Sequence, residues 1–352
     1  NLASSLNRGN LKELAILLPF NLSKIGADST KTTTQRLRSD RFLNMTLDFY
    51  AGALMAIDSA RALGLPLKVR ILDSKETKTT SAIAGLKASL SGVDAVIGPF
   101  FQNNVESTAA LLGTIPVISP LSKDPGKAYA NLFQSIPTTE MVKMSMLEYL
   151  KNKDANIIAV IDPKKGSSRQ LIAKNLPEAR ILQGAATDAS IRPLLAKDKV
   201  NYVILDSETV GVIVNTTKVL AAAQADYNIQ LAALDPNPAY DNDEVPLTRL
   251  TGLKMLYPSV TNDDETPQAM LFSRLYRNQN GVLPTQFATR GFDVTFDTIL
   301  RLFQTESFAG TCMKSTEQVE NKFEYTNINS GNYNTGVYIM QYGDGNTIKQ
   351  AQ

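Results

Sequence analysis

Apolar and polar residues alternate along the chain in blocks that predict strands and helices in turn. Short apolar runs indicate buried strands, and apolar residues three and four positions apart indicate amphipathic helices. The first strand lies within residues 12–20 and stops at Pro19. Further strands are predicted at 67–72, 94–98, 115–119, 156–162, 179–184, 200–206 and 229–235.

Most segments between these strands carry a helical pattern. Residues 21–41 differ, because they form a long polar stretch without periodicity, which is typical of a lid, a binding loop or a mobile segment. The apolar positions that predict helices are Leu47, Tyr50, Leu54 and Ile57, then Ile83, Leu86 and Leu90, then residues 103–112, and then Val142, Met146, Tyr149 and Leu150 after an N-cap at Thr138. Strands that alternate with helices predict parallel sheets with helices on both faces.

The end of the chain carries two further helices and a hairpin. Thr266 as N-cap, Pro267 at the first helical position and Gly281 past the end predict one helix, and a second is expected at about 289–304. The last 30 residues contain Gly-Asn turns and one alternating strand, which predict a terminal hairpin. These elements are too few for a third domain, so we expect them to complete two α/β lobes with a cleft between them.

Composition excludes several kinds of chemistry. The chain has no histidine, no tryptophan and one cysteine, Cys312, so it cannot form a Ser-His-Asp triad, an imidazole zinc site or a disulfide within the chain. We interpret Cys312 as an incidental thiol. The net charge is only +2, which does not favour a nucleic-acid partner. No stretch reaches the roughly 20 apolar residues that span a bilayer. Because the chain begins at Asn1, we interpret it as a mature or excised segment.

Motifs for phosphate or dinucleotide binding are absent from the sequence. Residues 166–170, Gly-Ser-Ser-Arg-Gln, suit helix capping better than anion binding. Aspartates recur where strands end, and each either starts a turn or faces a ligand at the carboxyl edge of its sheet. These aspartates are Asp73, Asp162, Asp206 and Asp235.

Amides and hydroxyls follow two successive strands of the first lobe. They suit a carboxylate or a neutral polar ligand, and they suit helix and loop capping equally well. The residues are Gln102, Asn103, Asn104, Ser119 and Ser122.

Several of these segments resemble, in order, the type I periplasmic binding proteins. The most specific are "DAVIGP", "PVISP" and "GFDVTFDTIL", and the resemblance covers nearly the whole chain from Lys12. Within these proteins the chain resembles most the branched-chain amino-acid-binding and receptor ligand-binding family, and above all its Bacteroidetes members with LysM repeats. It implies two Rossmann-like doubly wound lobes, with lobe I at 10–135 plus 262–318, lobe II at 136–261 plus 319–352, and a tail or linker at 1–9.

The resemblance also implies where a ligand would bind. A ligand carboxylate would meet the loop from Phe101 to Asn104 and the loop with Leu121 and Ser122, and Asp235 would take an amino group. Gln102-Asn103-Asn104 stands where amino-acid binders usually carry a serine, and Asp162 begins the segment where they usually carry Tyr-Gly.

Two functions follow, neither of them enzymatic and neither requiring a cofactor or metal. The first is a periplasmic solute-binding or sensing domain that closes on a small polar, amino-acid-like ligand. The second is an envelope protein of the same fold that acts through contacts with a cell-wall synthesis protein. Both imply a location in the periplasm or cell envelope. An enzyme that uses carboxylates alone is the least favoured alternative.

Overall fold

The computed structural model of the 352-residue chain describes residues 2–23, 32–77 and 83–351. Its strands are β1 (Lys12–Leu18), β2 (Leu67–Asp73), β3 (Ala95–Ile97), β4 (Val117–Ser119), β5 (Leu132–Gln134), β6 (Asn156–Ile161), β7 (Arg180–Gln183), β8 (Asn201–Asp206), β9 (Ile229–Ala232), β10 (Leu256–Ser259), β11 (Thr316–Glu317), β12 (Lys322–Phe323), β13 (Tyr325–Ile328), β14 (Gly331–Asn334), β15 (Tyr338–Gly343) and β16 (Thr347–Gln350). Its α-helices are α1 (Thr33–Ser39), α2 (Arg41–Ala62), α3 (Gln102–Leu112), α4 (Thr139–Lys151), α5 (Gly166–Asn175), α6 (Asp188–Ile191), α7 (Val210–Ala223), α8 (Leu247–Gly252), α9 (Pro267–Asn280) and α10 (Gln286–Leu302).

The chain folds into two compact α/β units, which confirms the predicted fold class. The first unit comprises Asn1–Thr138 and Glu265–Gly336, and the second comprises Thr139–Asp264 and Val337–Gln352. The first sheet has the order β13-β14-β5-β4-β3-β1-β2, and the second has the order β16-β15-β10-β9-β8-β6-β7. In each sheet five parallel strands are followed by the strands of an antiparallel hairpin, but β14 joins the first sheet parallel to β5, whereas β15 joins the second sheet antiparallel to β10.

The first sheet is buried on both faces. Leu14, Ile16 and Leu18 of β1 pack on one face against a cluster that includes Phe49 of α2. Ala15 and Leu17 pack on the other face, with Val105 and Ala109 of α3. Because alternate residues of a strand point to opposite faces, one apolar run serves both layers.

The second sheet repeats this arrangement with other helices. Ile158 and Val160 of β6 pack with Ile213 and Leu220 of α7 on one face. Ala159 and Ile161 pack on the other face, in a cluster with Met146 and Leu150 of α4.

Helices α2 and α10 of the first unit pack closely because two glycines face the partner backbone. A Cβ atom on Gly52 would lie 1.8 Å from the carbonyl oxygen of Ala288, and one on Gly291 would lie 2.1 Å from that of Phe49. No other residue fits at either position without moving a helix.

Three local expectations differ from the structure. The polar stretch 21–41 includes α1, whose N-cap Thr32 forms a capping box with Gln35, and α2 begins at Arg41 rather than near Leu47. Residues 24–31 of that stretch lie outside the described residues. The helix expected around Ile83, Leu86 and Leu90 is a pair of short 3-10 helices, Ile83–Leu86 and Ala88–Leu90.

The expected lobe boundaries also differ, because the sheet pairing assigns the end of the chain otherwise. One terminal hairpin was expected in lobe II, yet β13 and β14 form a hairpin on the first sheet, where β14 pairs with β5. A second hairpin, β15–β16, completes the second sheet through β10. Residues 319–336 therefore belong with the first unit.

The expected tail at 1–9 packs on the first unit where it is described. Leu2 is buried, and its carbonyl accepts a hydrogen bond from the Gln304 side chain (3.0 Å). The N–H of Asn7 donates to the carbonyl of Phe303 (2.7 Å). These contacts make residues 2–9 part of the unit rather than a linker.

Candidate functional site

The first sheet ends at its carboxyl edge in tight turns. Gly98 follows β3 with a φ of +90°, and a Cβ atom there would lie 2.3 Å from the carbonyl oxygen of Leu17. Helix α3 starts four residues later, at Gln102. Glycine is required at this turn because a side chain would strain the backbone and meet β1.

A carboxylate that sequence reasoning missed occupies this edge. Glu76 is buried after β2. It accepts hydrogen bonds from the N–H groups of Phe100 (2.7 Å) and Phe101 (3.3 Å), the side-chain amide of Asn104 (2.7 Å) and the hydroxyl of Ser74 (3.3 Å). The first three of these donors belong to the start of α3, where a carboxylate is favoured. An acidic residue four positions past a predicted strand is the only sequence signal for it.

The pKa of Glu76 is raised, because the effect of burial exceeds that of its hydrogen bonds. The bonds from Phe100, Asn104, Phe101 and Ser74 act in the other direction and lower the pKa. The side chain therefore resists ionisation more than an exposed glutamate does. Asn104 is buried too, and its amide donates to Glu76 and to the carbonyl of Thr77 (3.2 Å). Its contacts assign Asn104 to holding Glu76, although we had expected it to meet a ligand.

The other residues of this loop are more accessible. The Phe101 ring stacks on Phe42 with centroids 5.4 Å apart. Gln102 donates to Glu106 (3.2 Å), and its Oε1 is buried without a hydrogen-bond partner among the described residues. Asn103 is exposed, and its carbonyl accepts from the hydroxyl of Ser107 (2.8 Å). The N-cap residue of α3 is Phe101, which makes no side-chain capping hydrogen bond, and Gln102 and Asn104 lie inside the helix, so neither of them is its N-cap.

The loop after β4 contains the remaining expected residues of the first unit. Ser119 is buried, and its hydroxyl has no partner among the described residues. Leu121 packs against the core cluster of this unit. The Ser122 hydroxyl accepts the N–H of Asp124 (3.1 Å), which is the loop-capping role that we had weighed for it.

A buried arginine, also missed, holds this loop in place. Arg290 of α10 donates to the carbonyl of Pro120 (3.0 Å), to the carbonyl (2.7 Å) and hydroxyl (2.6 Å) of Ser135 and to Asn321 Oδ1 (2.6 Å). Burial lowers its pKa to about 10, so it is still charged at neutral pH. The sequence did contain a signal for Arg290. Arg290, Asp293, Asp297 and Arg301 lie at positions i, i+3, i+7 and i+11 of one helix and therefore share a face.

At the carboxyl edge of the second sheet, Asp162 acts as a structural acceptor. It follows β6 and is buried. Its oxygens accept from the N–H of Lys164 (3.1 Å) and the hydroxyls of Ser207 (2.9 Å) and Thr209 (2.8 Å). These hydrogen bonds lower the pKa of Asp162, and the bond from the N–H of Lys164 has the largest effect. Asp73 in the first sheet similarly accepts the N–H groups of Asn21 and Leu22 (both 2.9 Å), so both aspartates organise turns.

The other two strand-end aspartates of this edge face lysines. Asp235 Oδ2 lies 3.3 Å from Lys143 Nζ. Asp206 is 2% exposed, its Oδ1 lies 3.9 Å from Lys165 Nζ, and its Oδ2 has no hydrogen-bond partner among the described residues. Lys165 also pairs with Glu208. Three carboxylates and two ammonium groups thus meet at one edge, and one oxygen of Asp206 has spare acceptor capacity.

A small groove lies beside this cluster. It has a volume of about 300 Å³ and is lined by Thr139, Glu140, Lys143, Ser167, Ser168 and Leu171. The Lys143 ammonium donates to the hydroxyl of Ser168 (3.0 Å). Helix α5 begins at Gly166, and its N-cap residue, Lys165, makes no side-chain capping hydrogen bond. Residues 166–170, for which a capping role was expected, therefore form the start of the helix rather than its N-cap.

Other potential chemistry is limited in the described part of the chain. No group of three or more acidic or cysteine side chains there could hold a metal ion. Burial raises the pKa of the Cys312 thiol to about 11, which leaves it protonated and unreactive at neutral pH. None of the described helices is long and apolar enough to cross a membrane.

No protein-family model matches the sequence, and no curated protein matches it. Solved structures do match the fold. A protein from Rhodospirillum rubrum assigned as a branched-chain amino acid ABC transporter superposes with a TM-score of 0.61 at 14% identity, covering 97% of this chain and 100% of that one. The chain therefore has the type I periplasmic binding protein fold.

Two further structures agree with this fold. An ABC-type branched-chain amino acid transporter from Rhodopseudomonas palustris gives a TM-score of 0.56 at 13% identity, covering 97% of this chain and 96% of that one. A branched-chain amino acid ABC transporter periplasmic ligand-binding protein from Burkholderia xenovorans gives 0.54 at 11% identity, covering 97% and 94%. At such identities the likeness describes the fold and not the ligand.

Proposed function

We propose that this chain is a non-catalytic solute-binding or sensing domain of the periplasm or cell envelope, and that its ligand is small, polar and amino-acid-like. The observation that carries this proposal is the charged cluster at the carboxyl edge of the second sheet. There, beside Asp235 and two lysines, Asp206 keeps a carboxylate oxygen that has no hydrogen-bond partner among the described residues. Ligands of open parallel sheets bind at that edge. The type I fold and its transport-protein neighbours support the same function.

The contacts divide the expected ligand residues into two groups. Phe101, Gln102, Asn103, Leu121 and Ser122 in the first unit keep surface that a ligand can reach. In the second unit, Asp235 is the acid that we propose for an ammonium group.

Buried residues form the second group, which we assign to support. Asn104 and Asp162 have their polar atoms engaged by neighbouring groups, and Ser119 lies beneath the surface. We propose that they hold the loops rather than touch the ligand.

Lys143 makes the proposal more specific. Its ammonium already pairs with Asp235, so an amino-acid-like ligand must displace it or bind beside it. A ligand that adds its own carboxylate gives the displaced lysine a new partner. Zwitterions therefore suit this cluster better than simple amines.

Thermal-shift screening with L-amino acids, dipeptides and cell-wall fragments tests the function. A ligand present at 100 times its dissociation constant stabilises the folded chain by about 2.7 kcal/mol, which raises the melting temperature by several degrees. The Asp235→Asn variant should lose that shift, and Asp243→Asn, an exposed aspartate of the same unit, should keep it. A panel without any shift in the wild type would remove the proposal.

A second candidate is an envelope protein that acts through contacts with a cell-wall synthesis protein, as in the LysM-associated Bacteroidetes proteins that the sequence resembles. The observation that favours it is internal pairing, because Glu76 fills the donors at the start of α3 and Lys143 neutralises Asp235. It predicts a chain that is unaffected by every small molecule of the panel but binds peptidoglycan synthesis proteins in equilibrium measurements.

A further inference from the structure

Helix α9 carries an exposed apolar surface on its outer side. Only Phe272 and Tyr276 of this helix are buried, and they pack towards Met55 and Ala288. The exposed fractions are 56% for Met270, 46% for Leu271, 47% for Leu275, 60% for Val282 and 62% for Leu283. Five large apolar side chains within fourteen residues form a patch rather than the scattered exposure that is normal for a surface.

A groove runs along this patch. Its volume is about 440 Å³, and it is lined by Met270, Ser273, Arg274, Arg277, Asn278 and Leu283. The residues of α9 that line it lie mainly at i, i+4 and i+7, so they share one helical face. Leu283, two residues past the C-cap Gly281, forms part of the same wall.

The charge of this groove has one sign. Residues 266–283 contain two arginines, Arg274 and Arg277, and no aspartate or glutamate. Both arginines are exposed, and neither side chain makes a hydrogen bond or ion pair within the described part of the chain.

We infer that this groove, defined by Met270, Arg274, Arg277 and Leu283, docks an acidic amphipathic segment of another protein. Apolar side chains of the segment cover the leucine and methionine surface, and its carboxylates pair with the two guanidinium groups. A membrane surface fits less well, since two arginines are fewer than the four to eight basic residues that attract anionic lipid. The inference is independent of solute binding, because every residue involved belongs to the first unit and lies outside the proposed ligand contacts.

A pair of designed helical peptides tests the inference on the whole chain. One 16-residue peptide presents leucines at i, i+3, i+4 and i+7 with glutamates beside them, and its counterpart replaces each glutamate with lysine. In fluorescence anisotropy the acidic peptide should bind, and the basic peptide should bind at least about tenfold more weakly, since each unfavourable or missing pair costs up to about 1 kcal/mol.

Charge reversal is the decisive variant. The double variant Arg274→Glu, Arg277→Glu should bind the acidic peptide about tenfold or more weakly than the wild type does, and it should bind the basic peptide more tightly. Because both positions are exposed, the circular dichroism spectrum should show an unchanged fold. The double variant Met270→Ser, Leu283→Ser should bind both peptides more weakly than the wild type does. Lys151→Glu with Arg169→Glu, exposed positions of the second unit, is the matched control and should change neither affinity.

Several results would overturn the inference. Equal binding of the two peptides, absence of binding up to about 1 mM, or an acidic-peptide affinity unchanged by charge reversal would each do so. Co-sedimentation with phosphatidylserine vesicles that charge reversal abolishes, without acidic-peptide binding, would assign the patch to membranes instead. Concentration-dependent self-association that charge reversal abolishes would assign it to a second copy of the chain.

Discussion

The two sheets share the order of their five parallel strands, but among the described residues only the second brings aspartates against lysines at its carboxyl edge. In the first, Glu76 is enclosed by donors of the chain itself, and burial raises its pKa. In the second, Asp206 and Asp235 face two lysines, and Asp206 keeps an oxygen without a partner among the described residues. A common topology therefore fixes where the edge lies but leaves its chemistry to a few side chains.

The largest expected effect comes from removing the enclosed carboxylate of the first sheet. Glu76→Ala leaves the N–H groups of Phe100 and Phe101 and the Asn104 amide without their acceptor, so unfolding should require about 3–5 kcal/mol less free energy. Urea denaturation measures this loss. Glu178→Ala, an exposed glutamate, should stay within about 0.5 kcal/mol of the wild type. A similarly small loss for Glu76→Ala would mean that the edge is not organised by this side chain.

The corresponding change in the second sheet should cost less. Asp162→Ala removes the acceptor of one backbone N–H and two hydroxyls, and hydroxyls can turn to other partners, so we expect a loss of about 2–3 kcal/mol in the same assay. Asp243→Ala serves as the exposed control. If Asp162→Ala destabilised the chain more than Glu76→Ala, the contrast between the two edges would be reversed.

The pH dependence should separate the two carboxylates by sign. The pKa of Glu76 is raised on folding, so its favourable contribution is present at low pH and declines as the pH rises through the folded pKa. The pKa of Asp162 is lowered on folding, so its contribution is present above the unfolded pKa of about 3.9 and declines as the pH falls through the folded pKa.

Urea denaturation from pH 3 to pH 8 measures both effects as differences from Glu76→Gln and Asp162→Asn. The stability advantage of the wild type over Glu76→Gln should shrink with rising pH, and its advantage over Asp162→Asn should shrink with falling pH. If both stability differences changed with pH in the same direction, the opposite pKa shifts of Glu76 and Asp162 would be contradicted.

The smallest expected effect on stability is that of the lysine at the second edge. The Lys143–Asp235 pair is partly exposed to solvent, so Lys143→Met should change the free energy of unfolding by less than about 1 kcal/mol. Lys151→Met provides an exposed control on the same helix. A loss above about 3 kcal/mol would show that the lysine stabilises the fold rather than leaving Asp235 available to a ligand.

The hydrophobic pattern was sufficient for the regular elements because they depend on local sequence. The cap residues Thr266 and Gly281 bound α9 as expected, and most strands lie where apolar runs predicted them. Strand β5 was missed because only two consecutive apolar residues, Leu132 and Phe133, mark it in the sequence. The division of the C-terminal residues between the two sheets depends on pairing across about 200 residues, which no local pattern encodes.

The candidate site was less predictable for a related reason. Strand-end aspartates could be found, but whether each one holds a turn, as Asp162 does, or faces a lysine, as Asp235 does, depends on which loops meet in space. Glu76 and Arg290 lie far in sequence from the groups that they hold. Long-range hydrogen bonds of this kind produce no periodic pattern in the sequence, so they could not be predicted from it.

Calorimetric titration tests the central claim, that this chain binds an amino-acid-like solute through Asp235, most directly. The ligand is the L-amino acid or dipeptide that stabilises the wild type most, and the proteins are wild type, Asp235→Asn and Lys143→Met. We predict saturable one-site binding to the wild type, weaker binding to Lys143→Met because the ligand carboxylate loses its ammonium partner, and no measurable binding to Asp235→Asn. Equal affinities for wild type and Asp235→Asn, or no heat from any ligand, would contradict the claim.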